Sequence, residues 1–181
     1  KYIETKSTYT IEVWSKPLPI FSENSEFGFI NFPYDSDGVI RRGFKTLFTK
    51  KSDSVESFGF LIASKYSNLP TSYLLNNFKK TIFPSKSYNS NYHINYSLSN
   101  DFIHIPFYQI FENSFQNPEI LKDKIVLIGA TDPVLNDILF TPVGIMPGVN
   151  IHAHSILTIL NNHPIVKFNS LINAILIYFI F

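Results

Sequence analysis

One stretch, KIVLIGA at 124–130, constrains the fold of this chain more than any other. It is continuous, apolar and rich in β-branched side chains, and it closes on Gly129 and Ala130. A strand with one wet face alternates apolar and polar residues, whereas a strand covered on both faces does not. The stretch therefore predicts a central strand with a layer of structure on each side. TDPVLND at 131–137 then becomes a loop at that strand's carboxyl end, where open α/β sheets present ligand-facing residues. MPGVN reads as a turn, and the next stretch carries Ile151, Ile156, Ile159 and Leu160 on one side of a helix over 150–161. The expectation is an α/β fold, a three-layer mixed sheet with flanking helices.

The chain has 181 residues, 45% of them hydrophobic and 16% charged, which suits one globular domain with a real core. A formal net charge of +1 gives no sign of a nucleic-acid binder, which needs a basic face. Without cysteine there is no disulfide framework, thiol nucleophile or cysteine-ligated metal. The last segment, SLINAILIYFIF at 170–181, is nearly all apolar, with Asn173 its one polar residue after Ser170. It is shorter than the ~20 residues of a spanning helix. Either it is a C-terminal core helix or it is the start of a truncated membrane helix. The missing polar face favours the second, which divides the chain into a domain over 1–166 and a membrane segment over 167–181.

The remaining elements follow from local pattern. YTIEVW at 9–14 reads as a strand. FGFINF at 27–32 and VIRRGFKTLF at 39–48 read as the arms of a hairpin around PYDSDG, with Gly38 free to take positive φ. Residues 53–66 read as a helix opened by an Asp53/Glu56 capping box, with Val55, Phe58, Gly59, Ile62 and Tyr66 on one face. Gly59 there permits close packing. A short helix is expected at 72–78, a strand at 92–98 and a helix over 105–113 with Pro106 in its first position.

Each candidate site has a plain structural reading beside the chemical one. Asp35 and Asp37 superficially suit a calcium loop, but Thr46 stands where an EF-hand requires a bidentate glutamate, and Arg41, Arg42 and Lys45 intervene. The carboxylates are better read as folding back on the turn's own amides. One of Arg41 and Arg42 is expected to point to the covered face, paired with Asp37 or Asp137; the alternative is an anion site. Asp132 and Asp137 flank the loop after Gly129, where they either hold a ligand or cation or cap the next turn. His152 and His154 lie two residues apart on a helix and cannot grip one metal ion from one face. One is expected near the helix start, the other in solvent. No nucleophile elbow, phosphate loop or zinc-hydrolase motif occurs, so neither a catalytic residue, a metal nor a cofactor is assigned. An acid/base enzyme using Asp132, Asp137 and a histidine is the competing class.

The order of these pieces resembles a known family. FGFINFPYDSDGVIRR, then ESFGFLIASKY, INY, KDKIVLIGAT with Asp137, Thr141 with Pro142, Pro147 with Gly148 and Val149, and HAHSILTIL resemble the second type of CHASE sensor domain, the cyclases/histidine kinases associated sensory extracellular family. The resemblance runs from about Phe27 to Asn162 and assigns Asp35, Asp37, Gly38, Gly129, Thr141, Pro142, Pro147, Gly148 and His152 to its structural motifs. It implies the extracytoplasmic input domain of a bacterial membrane receptor, lacking its N-terminal strand–helix portion. The implied context is a homodimer anchored through the C-terminal helix. Its stimulus is an unidentified small molecule or protein, and its cytoplasmic output is a nucleotide cyclase, a diguanylate cyclase or a kinase. Asp132, Asp137, Arg41 and Arg42 are the expected ligand contacts.

Overall fold

The computed structural model describes residues 2–4, 9–11, 17–49, 54–78, 91–98, 102–165 and 177–179. It is a mixed α/β fold whose strands fall into three small sheets rather than one. The first sheet joins β1 (Tyr2–Glu4), β2 (Tyr9–Ile11), β4 (Thr46–Thr49) and β5 (Ser54–Glu56) in that order, with β2 and β4 parallel and the other pairs antiparallel. The second pairs β3 (Arg42–Phe44) with β6 (Asn91–His93), and the third pairs β7 (Ile138–Thr141) with β8 (Gly144–Pro147), both antiparallel. The helices are α1 (Pro19–Ser22), α2 (Phe58–Ser67), α3 (Thr71–Asn77), α4 (Phe107–Phe111) and α5 (Gly148–Leu160).

The core lies where α2 and α5 cross beside β3 and β6. Ile40, Phe60, Ala63, Phe78, Tyr92, Ile94, Tyr96, Ile151 and Ile159 form one buried cluster. A second, smaller cluster joins Phe29, Phe44 and Leu47. The two helices approach closely because α2 presents a glycine. A Cβ on Gly59 would sit 3.0 Å from Ser155 Oγ and 3.1 Å from Ile159 Cδ1. Gly43 does the same on β3, where a Cβ would meet the Tyr92 ring at 2.7 Å.

The central expectation fails. Residues 125–130 form no strand, and Val126 and Ile128 are 54% and 80% exposed. Ile125 and Leu127 are half-buried, so one side of the run rests on the domain while the other is open. The physical reason is pairing: a strand covered on both faces exists only inside a sheet, and no described segment pairs with this one. The three-layer mixed sheet is therefore replaced by small separate sheets packed on helices.

Other differences are local. The 39–48 strand breaks at Lys45, whose carbonyl accepts from Ser57 N at 3.2 Å, so β3 and β4 serve different sheets. Its supposed hairpin partner at 27–32 contributes one bridge, parallel, between Phe29 and Ser57. The expected 53–66 helix starts later, because residues 54–56 pair with β4 and Ser57 supplies the cap, its Oγ accepting from Phe60 N at 3.3 Å. Its buried face is Gly59, Phe60 and Ala63, and Tyr66 lies outside. The expected 92–98 strand ends at His93, since Asn95 Oδ1 accepts from Ser97 N at 3.1 Å and turns the chain. The β7–β8 hairpin was not foreseen. Helices α3, α4 and α5 stand close to the expected places.

Among the described residues no helix is long and apolar enough to cross a membrane. The expected membrane segment at 167–181 lies outside the described residues except for a helical piece at 177–179. Five helical segments stop in one recurring way, though α1 and α3 do not: Asn68, Asn113, Asp123, Asn136 and Asn162 all adopt left-handed φ between 50° and 56°, each one or two residues past a helical segment.

Candidate functional site

The turn at 35–39 is closed by two backbone bonds, Asp35 N to Val39 O at 3.1 Å and Gly38 N to Asp35 O at 2.9 Å, with Gly38 at φ 77°. Asp37 Oδ1 accepts from Val39 N at 3.1 Å. Both arginines then fold back on this turn. Arg41 Nη1 donates to Asp35 Oδ2 and Asp37 Oδ1 at 2.9 Å each, and Nη2 donates to Asp37 Oδ2 at 2.8 Å. Arg42 donates to Asp35 Oδ1 from Nε at 2.9 Å and from Nη2 at 2.7 Å. The result is a charge-balanced knot of paired guanidinium and carboxylate groups. The Arg41 hydrogen bonds, helped by Val39 N–H, hold Asp37 down at about 2. Burial opposes ionisation of Asp35, yet Arg41 and Arg42 together keep its carboxyl below the usual range. Of the two expected partners, Asp37 pairs with Arg41 and Asp137 with neither arginine, while Asp35 takes both.

The knot is joined to the third sheet. Ile40 N donates to Phe140 O on β7 at 2.8 Å, and Tyr96 Oη donates to Ile40 O at 2.9 Å. β7 and β8 connect through Pro142 and Val143, with Thr141 Oγ1 donating to Gly144 O at 2.6 Å. Pro147 then precedes α5, and Gly148 N donates to Asp137 O at 3.0 Å. The Asp137 carboxylate lies against the Gly148 backbone, so close that a Cβ there would be 2.6 Å from Oδ1. A carboxylate at the first turn of a helix without a side-chain cap favours that helix through its dipole. Asp132 has a comparable local role: its Oδ1 accepts from Val134 N at 2.9 Å and caps the short helix Pro133–Leu135. Gly129 brings the preceding run onto α5, where a Cβ would lie 2.7 Å from Val149 Cβ.

The histidines are not arranged as expected, for neither points into solvent. His152 packs against Phe32 and Phe58 with ring centroids at 4.6 Å and 5.3 Å, and burial pushes it down to about 4. His154 is buried beside Tyr96 and Phe102, and burial lowers it as well. Neither forms an ion pair with a carboxylate among the described residues, and no described group of three His, Asp or Glu side chains could hold a metal ion.

Sequence reasoning missed the polar contacts that hold α5. Tyr92 Oη and Ser155 Oγ share a buried hydrogen bond of 2.5 Å. Thr158 Oγ1 accepts from Asn95 N at 2.9 Å and donates to His154 O at 2.7 Å. Ser and Thr on the inward face of an apolar helix are the signal that was available. An open groove of about 490 Å³ also lies between α2 and the 125–126 run, lined by Phe58, Leu61, Ile62, Tyr66, Ile125 and Val126.

A family model, described as the CHASE2 domain, matches residues 4–181. The chain belongs to the CHASE2 family. Neither a curated protein nor a solved structure matches it. CHASE2 is a family of extracellular sensory domains, which places this domain among sensory rather than catalytic modules and is consistent with a position outside the cytoplasm.

Proposed function

We propose that this CHASE2 domain is the input module of a transmembrane receptor, converting the binding of a ligand or partner protein into a bias on helix α5. The output is a nucleotide cyclase, a diguanylate cyclase or a protein kinase on the cytoplasmic side, and the receptor works as a homodimer. The sensor occupies residues 1–166, and 167–181 begins the membrane helix. Binding engages the 35–42 turn and the loops after Gly129, with Arg41, Arg42, Asp132 and Asp137 as contacts. An anionic group on the stimulus competes with Asp35 and Asp37 for the guanidinium groups and loosens the knot.

The observation that supports this reading is a continuous backbone path. The knot bonds to β7 through Ile40 and Phe140, and the residue before β7 bonds to the first residue of α5 through Asp137 and Gly148. Such coupling requires the bound state to favour one arrangement of α5 by a differential of ~1–3 kcal/mol. The test is to insert Gly-Ser pairs between Asn162 and Lys167 in the full receptor and measure output with and without stimulus. Output should become insensitive to stimulus; an unchanged response refutes the mechanism. Asp137→Asn tests the input end, where loss of response at unchanged melting temperature marks a binding residue and a lowered melting temperature marks a capping one. A protease-accessibility reporter near Asn77 should be cleaved from outside intact cells, and cleavage only after lysis rejects the topology.

A further inference from the structure

The chain leaves α5 under a second set of contacts, different in kind from those that hold the helix body. Inside, Tyr92 and Ser155 are joined in a dry contact, both residues being buried. At the exit the contacts are in solvent. Asn95 Nδ2 donates to His163 O at 3.1 Å, Asn162 Nδ2 donates to Asn77 O at 3.2 Å on the last residue of α3, and Ile165 bridges His93 antiparallel. Asn95 belongs to both sets. Its backbone N–H holds Thr158 within α5, its Nδ2 holds His163 beyond α5, and its Oδ1 is fixed by Ser97 N at 3.1 Å and Ser97 Oγ at 2.6 Å.

We propose that Asn95 is the catch of a releasable exit latch, which holds residues 162–165 against β6 and α3 in one signalling state and frees them in the other. This rests on the reading of α5 as the transmitting helix. The chemistry supports release at this point and not further inside. A neutral hydrogen bond in solvent exchanges for one to water at little cost, while opening the Tyr92–Ser155 contact leaves buried hydroxyls without partners. The latch can therefore open with the core intact. Asn95 is a positioning residue, since it acts on the path of the chain and touches no ligand.

Asn95→Asp separates the latch from the turn that carries it. It keeps an acceptor for Ser97 and the backbone N–H for Thr158, but it sets a carboxylate oxygen against the His163 carbonyl in place of the donor. Hydrogen exchange read by mass spectrometry should show the Ile165 amide exchanging about fivefold faster or more, the equivalent of one hydrogen bond of ~1 kcal/mol, while the His163 amide, which donates to Thr158 O at 3.1 Å at the end of α5, keeps its protection. The amides of 151–159 should keep their protection. Asn162→Ala, which cuts the tie to α3, should move the Ile165 amide less. In the full receptor both variants should shift output in the absence of stimulus. Unchanged exchange at Ile165, or faster exchange throughout α5, overturns the latch. Faster exit exchange with unchanged output shows an opening that carries no signal, and also overturns it. If the Gly-Ser insertions are silent as well, the failure belongs to the transmission reading; if they alter output while Asn95→Asp does not, only the latch falls.

Discussion

Removing one hydroxyl from the Tyr92–Ser155 contact has a calculable effect because both residues are buried, at 5% and 3% exposure. Burial also pushes the Tyr92 phenol above its ordinary value, so the group stays neutral at any ordinary pH. Tyr92→Phe leaves the Ser155 hydroxyl without its partner, but a helical serine can turn back to the carbonyl four residues earlier. The expected loss is ~1–2 kcal/mol. Ser155→Ala leaves the phenolic hydroxyl orphaned among Phe60, Phe78 and Gly43, with no helix carbonyl to turn to, and the expected loss is ~2–3 kcal/mol. The double variant removes both groups and forfeits only the net worth of one hydrogen bond, ~1 kcal/mol, apart from any cavity. The single losses should therefore exceed the double loss, giving a coupling of ~2 kcal/mol or more. Urea unfolding of the four proteins measures it, and each kcal/mol also moves Tm by ~2–4 °C for a domain of this size. Losses that add to within ~0.3 kcal/mol, or a Tyr92→Phe variant weaker than Ser155→Ala, refute the argument.

Two further predictions bear on groups whose surroundings the structure redefined. His152 stays neutral down to about 4 in the fold, whereas an unfolded histidine takes its proton near 6.5. The unfolded state binds the extra proton between those values, so the contribution of His152 is full above pH 6.5 and falls toward pH 4 by up to ~3 kcal/mol; His152→Leu should lessen the acid slope in urea titrations across pH 4–7, leaving the part that belongs to His154. Ile128→Asp would be ruinous in a central strand, but at 80% exposure it should cost less than ~0.5 kcal/mol, and a failure to fold would restore the buried-strand reading.

Helix α5 was legible because the sequence alone decides it: the spacing of Ile151, Ile156 and Ile159 marks one face whatever lies opposite. The 35–39 turn was legible for a similar reason, since Asp and Gly act within a few residues of themselves. The run at 125–130 was not, because apolar character on both sides records a demand for cover and says nothing about where the cover lies. Strands β3 and β4 read as one because nothing in their composition announces that Ser57 will take the Lys45 carbonyl. For the candidate site, the arginines' need for carboxylates and the pairing of Arg41 with Asp37 were evident, while the part of Asp35, which binds both arginines, depended on the geometry of the turn. The roles of Tyr92, Asn95 and Ser155 became visible only once β6 and α5 were side by side.

The left-handed residues that end the helices have a consequence of their own. Glycine is the usual occupant of such positions because it lacks a Cβ, yet this chain places asparagine or aspartate at five of them. Asparagine tolerates the conformation and is more restricted than glycine when the chain is unfolded, so fewer disordered states oppose folding at each stop. It also brings an amide that glycine lacks. At Asn162 that amide is spent on a neighbouring helix, so the residue that ends α5 also fixes the direction in which the chain departs. A glycine at 162 would still stop the helix, but the departing chain would lose its bearing.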